Sequence, residues 1–166
     1  MTDAQISKIL QDLTIICDTR EQKNKHILDY LTKNKVKYIV EKLETADYSF
    51  YLPNYPHLEL DLSILVERKN SWDEIIGNFT KRRKQFIAEF ERLDDEEMHV
   101  VIETATWRKL FAQSYRSKVA YQSILASTLT FSTRYDAKFW FVQPQDSGEL
   151  IYSLIYYGLR EKLKNM

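Results

Sequence analysis

The residues of this 166-residue chain best suited to chemistry are Asp47, Glu67 and Lys69. Glu67 and Lys69 close the run Leu62-Ser63-Ile64-Leu65-Val66-Glu67-Arg68-Lys69, in which an apolar stretch gives way abruptly to charge. Such a run reads as a strand leaving the core and delivering charge at its end. Side chains alternate along a strand, so Glu67 and Lys69 point to one side while Val66 and Arg68 point to the other. A carboxylate and an ammonium then share one small volume. Asp47, in Ala46-Asp47-Tyr48-Ser49-Phe50, is a second acid at the head of another strand-like segment. Two hard carboxylate oxygens can hold Mg²⁺, which keeps several waters and takes its other ligands from a phosphate. The ion can lower the pKa of a bound water and neutralise charge growing on phosphorus. Lys69 would position that water or stabilise the added negative charge. The plainer reading is a strand-end salt bridge, because an Asp followed at a distance by Glu-x-Lys arises often by chance.

Asp…Glu-x-Lys is also the pattern of metal-dependent nucleases with a restriction-endonuclease-like core, and the surrounding residues give it context. Three blocks occur in order: Cys17-Asp18-Thr19-Arg20-Glu21, Ala46-Asp47-Tyr48, and Val66-Glu67-Arg68-Lys69-Asn70-Ser71-Trp72-Asp73. Together they resemble the nucleases related to the xeroderma pigmentosum group F protein and the archaeal Hef nuclease. The third block matches that family's Glu-Arg-Lys, three residues, Asp signature without a gap. The sequence departs from the family at Ala46, where Gly usually precedes the Asp. The resemblance implies a Mg²⁺-dependent endodeoxyribonuclease, with Mn²⁺ able to substitute. It places Asp18, Asp47 and Glu67 at the metal and gives Lys69 the electrostatic or water-positioning role. Arg20, Glu21 and Arg68 would line the site, with Asp73 in support. The plainer reading of Arg20 and Glu21 is charge at a helix start.

Composition narrows where DNA could bind. Lys+Arg and Asp+Glu both number 24, so there is no global basicity and any DNA site must be a local basic patch beside an acidic one. Lys81-Arg82-Arg83-Lys84 is the dense basic run. Arg83 falls on the stripe formed by Phe79, Phe86, Phe90 and Leu93, and an inward arginine wants an anion. Lys81, Arg82 and Lys84 look outward, either to DNA phosphates or simply to water. Related bacterial and phage nucleases resemble this helix, with a basic residue two positions after the Arg; here that position is Gln85. Cys17 is the lone cysteine, which excludes an intrachain disulfide and reads as core filler. No signal peptide and no membrane-length apolar run is present, so the expectation is a cytoplasmic protein without membrane contact. By resemblance to stand-alone members, that cytoplasm is bacterial or that of a phage-infected host.

The elements that must position these residues follow from periodicity and punctuation. With 3 Gly and 3 Pro and no linker, residues 1–166 read as a single nuclease domain, its motif core at 13–93 and its C-terminal half at 98–163. Helices are expected at 3–11, 22–33 and from Trp72, the last started by a Ser71-x-x-Glu74 capping box. Asp73 would complement that helix dipole or reach back to Arg68. Strands are expected at 13–17 ending in Asp18, at 36–40 on an edge, at 48–52, 58–66, 98–102 and 137–142. Thr106 caps a short helix to Phe111. A helix over 117–133 would press the small residues Ser123, Ala126, Ser127 and Thr130 onto the sheet. Asp146-x-x-Glu149 opens a final helix to Leu163. Alternating strands and helices give an α/β class, a three-layer α/β/α sandwich with a central mixed sheet.

The leading functional reading is an endonuclease on branched, flapped or otherwise structured DNA in recombination or repair. The alternative is a catalytically inactive DNA-binding or scaffold subunit of a nuclease complex, as arises in the family when the motif acids are lost. A homodimer through the C-terminal helices is also expected. Tyr152, Tyr156 and Tyr157 extend the apolar surface of that helix beyond the stripe of Leu150, Ile151, Leu154, Ile155, Leu159 and Leu163.

Overall fold

Six strands in the order β2-β1-β3-β4-β5-β6 form a mixed sheet in the computed structural model, which describes residues 1–59, 62–93 and 96–166. The strands are β1 (Thr14–Asp18), β2 (Tyr38–Glu41), β3 (Tyr48–Tyr51), β4 (Ile64–Lys69), β5 (Glu97–Glu103) and β6 (Lys138–Val142). The helices are α1 (Asp3–Leu10), α2 (Lys25–Lys33), α3 (Pro56–Glu59), α4 (Trp72–Phe79), α5 (Arg83–Glu91), α6 (Trp107–Phe111), α7 (Tyr121–Tyr135) and α8 (Ser147–Lys164). The expected α/β class and mixed sheet are therefore observed. No described helix is long and apolar enough to cross a membrane. The chain divides into two compact units, Met1–Val66 with Gln145–Met166, and Glu67–Pro144.

In the first unit β1 lies between β2, to which it runs parallel, and β3, to which it runs antiparallel. Ile15 and Cys17 are fully buried, as befits a strand paired on both edges and covered by helices. The α1 start is closed by a capping box in which the Thr2 hydroxyl accepts from the Gln5 N–H and Gln5 accepts from the Thr2 N–H. Helix α8 packs on α2 and α1, burying Ile151, Ile155, Leu159 and Leu163. Gly148 makes the α2 contact possible, because a Cβ there would stand 2.5 Å from the Tyr30 Cβ.

In the second unit β5 and β6 run parallel, with Val100 opposite Phe139 and Ile102 opposite Phe141. An aromatic cluster fills its core. Phe131 of α7 lies 5.0 Å from Phe86, 5.2 Å from Phe90 and 5.4 Å from Phe79, ring centre to ring centre.

Four local expectations are corrected. The segment Leu58–Val66 does not form one strand: a helical turn ends at Glu59 and β4 begins at Ile64, while residues 60 and 61 lie outside the described residues. The stripe from Phe79 to Leu93 is carried by two helices, because the backbone leaves the helix at Thr80 (φ −117°, ψ −93°) and re-enters at Arg83. Ser71 makes no side-chain cap on α4; Glu74 instead accepts from the Asn70 N–H at 2.8 Å. The small residues of α7 are only partly inward, with Ser127 and Thr130 half-buried. Ile124, Thr128 and Phe131 are buried, while Ser123 and Ala126 are exposed, so Ile124 and Phe131 set the inward face.

Candidate active site

Asp18 ends β1 and is 1% exposed. Its Oδ1 accepts from the Arg20 N–H and the Arg20 Nε, both at 2.7 Å. Its Oδ2 accepts from Arg20 Nη2 at 3.0 Å and the Leu43 N–H at 2.7 Å. Burial pushes this carboxyl up, but the Arg20 side chain and the two backbone N–H groups outweigh it and hold Asp18 below the ordinary carboxylate range. Burial raises the Cys17 thiol to about 12, so it stays protonated and serves as packing. Glu21, half-buried, donates its N–H to the Asp18 carbonyl at 3.1 Å.

Asp47 is joined to both neighbouring strand ends through its main chain. Its carbonyl accepts from the Asp18 N–H at 2.8 Å, and its own N–H donates to the Val66 carbonyl at 3.1 Å. The preceding residue, Ala46, carries φ +68°, a left-handed conformation that glycine adopts without a Cβ penalty. The turn before the acid is thus the one that a Gly-Asp pair would make, here formed by alanine.

In the second unit the end of β4 sorts its charges by strand alternation. Lys69 Nζ donates to Glu67 Oε1, and both side chains are largely buried. The Lys69 ammonium lies 6.0 Å from the Phe86 ring centre. Glu89 of α5 belongs to the same surroundings: burial and the Glu67 charge raise its pKa, with Lys69 partly offsetting them. Arg68 is 7% exposed and donates from Nη1 to Glu103 Oε2 at 2.8 Å, a buried ion pair between β4 and β5.

The remaining predicted residues separate by surroundings. Asp73 does not reach back to Arg68. Its carboxylate accepts from the N–H groups of Arg116 and Ser117, each at 2.9 Å. Arg83 is half-buried, donating to the Phe79 carbonyl at 3.3 Å and the Ser127 hydroxyl at 3.1 Å, with its guanidinium 5.8 Å from the Phe131 ring centre. Lys81, Arg82 and Lys84 are exposed. Glu103 and Glu89 were not singled out in the sequence. Glu103 stood in view as the acid ending an apolar strand, the signal that picked out Asp18 and Glu67. Glu89 follows the stripe residue Phe86 by three positions and therefore shares its helix face.

Asp47 and Glu67 offer hard oxygen donors of the kind Mg²⁺ takes, commonly one or two carboxylates with water and phosphate completing the shell. Asp18 does not fit as a ligand in this conformation, because N–H donors already occupy both of its oxygens. Among the described residues no group of three or more His, Cys, Asp or Glu side chains forms a ready metal cage.

The family profile of the ERCC4 domain matches residues 17–154, spanning every motif block and both compact units. This chain belongs to the ERCC4 domain family. Its fold resembles that of XPF from Aeropyrum pernix in complex with DNA, with a TM-score of 0.63 and 21% identity, over 89% of this chain and 66% of that one. XPF from Aeropyrum pernix in a second structure gives a TM-score of 0.58 and 21% identity, over 86% of this chain and 65% of that one. At such identity the likeness is one of fold, and the ERCC4 domain chain spans just under two thirds of the length of those structures. Comparison with curated protein sequences gives no match.

Proposed function

We propose that this ERCC4 domain is a divalent-metal-dependent DNA endonuclease acting on branched, flapped or otherwise structured DNA. The observation that carries the reading is the end of β4, where Glu67 and Lys69 are paired on one side and Arg68 is committed to Glu103 on the other. The carboxylate and the ammonium lie together on one side of the strand end, and the neighbouring arginine holds that end from the other. Asp47, tied through its main chain to Val66, supplies the second acid in this reading. Asp47 and Glu67 would hold Mg²⁺ or Mn²⁺, which when bound makes a water more acidic and offsets charge on the phosphate. Lys69 orients the attacking water or stabilises the added charge. Asp18 clamps Arg20 and the Leu43 main chain, while Glu21, Arg68, Arg83 and Asp73 hold neighbouring segments in place. Lys81, Arg82 and Lys84 neutralise DNA phosphates.

The test is incubation with nicked, flapped and four-way DNA in Mg²⁺ or Mn²⁺. Glu67→Gln and Asp47→Asn are expected to lose cleavage by at least about 100-fold while DNA affinity persists. Equal cleavage by these variants would assign the activity to another site. Binding without cleavage in either metal favours the second reading, an inactive DNA-binding or scaffold subunit, to which the saturated Asp18 carboxylate lends support. A homodimer through α8 is part of the proposal. Tyr152, Tyr156 and Tyr157 form a ring ladder with 5.5 Å and 5.2 Å between centres, and Tyr157 is 62% exposed. Light scattering should give a dimer that Tyr156→Glu dissociates; a monomer mass for both proteins counts against it.

A further inference from the structure

Between Glu103 and Asp136 the chain carries no aspartate or glutamate but five cations, Arg108, Lys109, Arg116, Lys118 and Arg134, in a protein whose net charge is zero. The first part of that stretch, α6 and the loop after it, exposes large aromatic surface. Trp107 is 38% exposed and Phe111 51%. Their rings stack with centres 6.3 Å apart and planes within 19° of parallel, and Tyr121 meets Phe111 edge-on at 5.8 Å. Arg108, Lys109, Arg116 and Lys118 are exposed around them. Aromatic faces left in water beside cations suit bases and phosphates, whereas a protein-binding patch of this size is usually depleted of lysine.

This surface is fastened to the signature segment of the candidate site. Trp72 donates its indole N–H to the Thr106 carbonyl at 3.1 Å, and its ring lies 5.9 Å from that of Trp107. Thr104 donates its hydroxyl to the Asn70 carbonyl at 3.1 Å. Asp73, the last residue of the signature, holds the main chain of Arg116 and Ser117. Three residues of the signature, Asn70, Trp72 and Asp73, therefore fix α6 and the loop carrying Arg116 and Lys118. A segment whose only task was to close the core would not need its acid invested in an exposed basic loop.

We propose that Trp107 and Phe111, with Arg108, Arg116 and Lys118, form a stacking platform for an unpaired DNA strand. The proposal rests on the nuclease reading for its biological sense and deepens it by naming the strand state that the second unit grips. The exposed run Lys81, Arg82 and Lys84, which has no exposed aromatic among its residues, would serve duplex phosphates instead. Stacking is sequence-tolerant, so the platform would select single-strandedness and not base identity.

The experiment measures binding of the full chain to fluorescent oligo-dT and to a blunt duplex of equal length, in EDTA so that no cleavage is required. Phe111→Leu keeps apolar bulk against Tyr121 but removes the ring face. It is expected to weaken oligo-dT binding about tenfold and duplex binding by less than about twofold. Arg108→Ala with Lys118→Ala, both at exposed positions, should flatten the salt dependence of oligo-dT binding by roughly one to two logarithmic units per decade. Oligo-dT should also quench tryptophan fluorescence, and Trp107→Phe should remove most of that quenching. Unchanged oligo-dT affinity in Phe111→Leu and in the double variant would overturn the platform, as would equal losses for single strand and duplex. Loss of self-association without DNA in Phe111→Leu would identify the patch as a protein contact instead. Because these readouts precede cleavage, they stand if the chain cuts nothing, and they can fail while cleavage by the Glu67 site persists.

Discussion

Two strand ends in this protein carry an acid and an arginine two or fewer residues apart, and they use them oppositely. At the end of β1, Arg20 turns back and clasps Asp18, so the acid's lone pairs are filled by N–H donors. At the end of β4, Arg68 points away from Glu67 to bury itself against Glu103, and Lys69 faces Glu67. The cause is spacing. Residues one apart on a strand lie on opposite faces, whereas Asp18 is the last strand residue and Arg20 is free to fold over it. An ammonium is a compact charge on a flexible stem, while a guanidinium locks a carboxylate in two parallel bonds. In the proposed reading the acid beside lysine exchanges its partner for a ligand, while the acid beside arginine anchors its strand end.

Removing each arginine separates the two uses. Arg68→Ala breaks the buried pair with Glu103 and is expected to cost about 3–5 kcal/mol. Arg20 is 60% exposed at its side chain, and Asp18 keeps its two backbone donors, so Arg20→Ala should cost only about 1 kcal/mol. The pH response sharpens the contrast. A carboxyl held below its ordinary pKa contributes stability above that value and loses it as pH falls through the folded one. The Arg20→Ala loss should therefore be present at pH 7 and shrink as pH falls through the folded pKa of Asp18, whereas Arg68→Ala should weaken the protein more at neutral pH. Urea melts at pH 7 and pH 3 check both. A larger loss at neutral pH for Arg20→Ala than for Arg68→Ala would invert the comparison.

What the sequence discloses follows the same division. Apolar runs that end in an acid located β1, β4 and β5, because burial of a strand on both faces leaves a continuous hydrophobic record. The signature from Glu67 to Asp73 was legible as a block, and alternation correctly set Glu67 with Lys69 and apart from Arg68. Partners supplied by distant chain were not legible. Nothing near Arg68 in sequence announces Glu103, and nothing near Asp73 announces the main chain of Arg116 and Ser117. The break at Thr80 was hidden because the aromatic stripe keeps a helical period across it, each helix meeting Phe131 separately. On α7 the small residues suggest a packing face, but the inward face is set by Ile124 and Phe131, with Thr128 between them.

The smallest expected effect concerns the turn that links the two strand ends. Ala46 sets the direction of Asp47, whose main chain bonds to Asp18 on one side and Val66 on the other. At φ +68° its Cβ crowds the backbone at a cost of roughly 1–2 kcal/mol. Ala46→Gly removes that crowding but adds about 0.5–1 kcal/mol of chain entropy to the unfolded state. The first effect is the larger, so the variant should gain up to about 1 kcal/mol, read as a higher urea midpoint with an unchanged slope. Ala46→Val tests the same strain from the other side. A β-branched residue is a true outlier at positive φ, so that variant should be destabilised and should misplace Asp47, lowering cleavage more than Arg20→Ala does. If glycine instead lowers the midpoint, the crowding at Ala46 costs less than the chain freedom that glycine adds to the unfolded state.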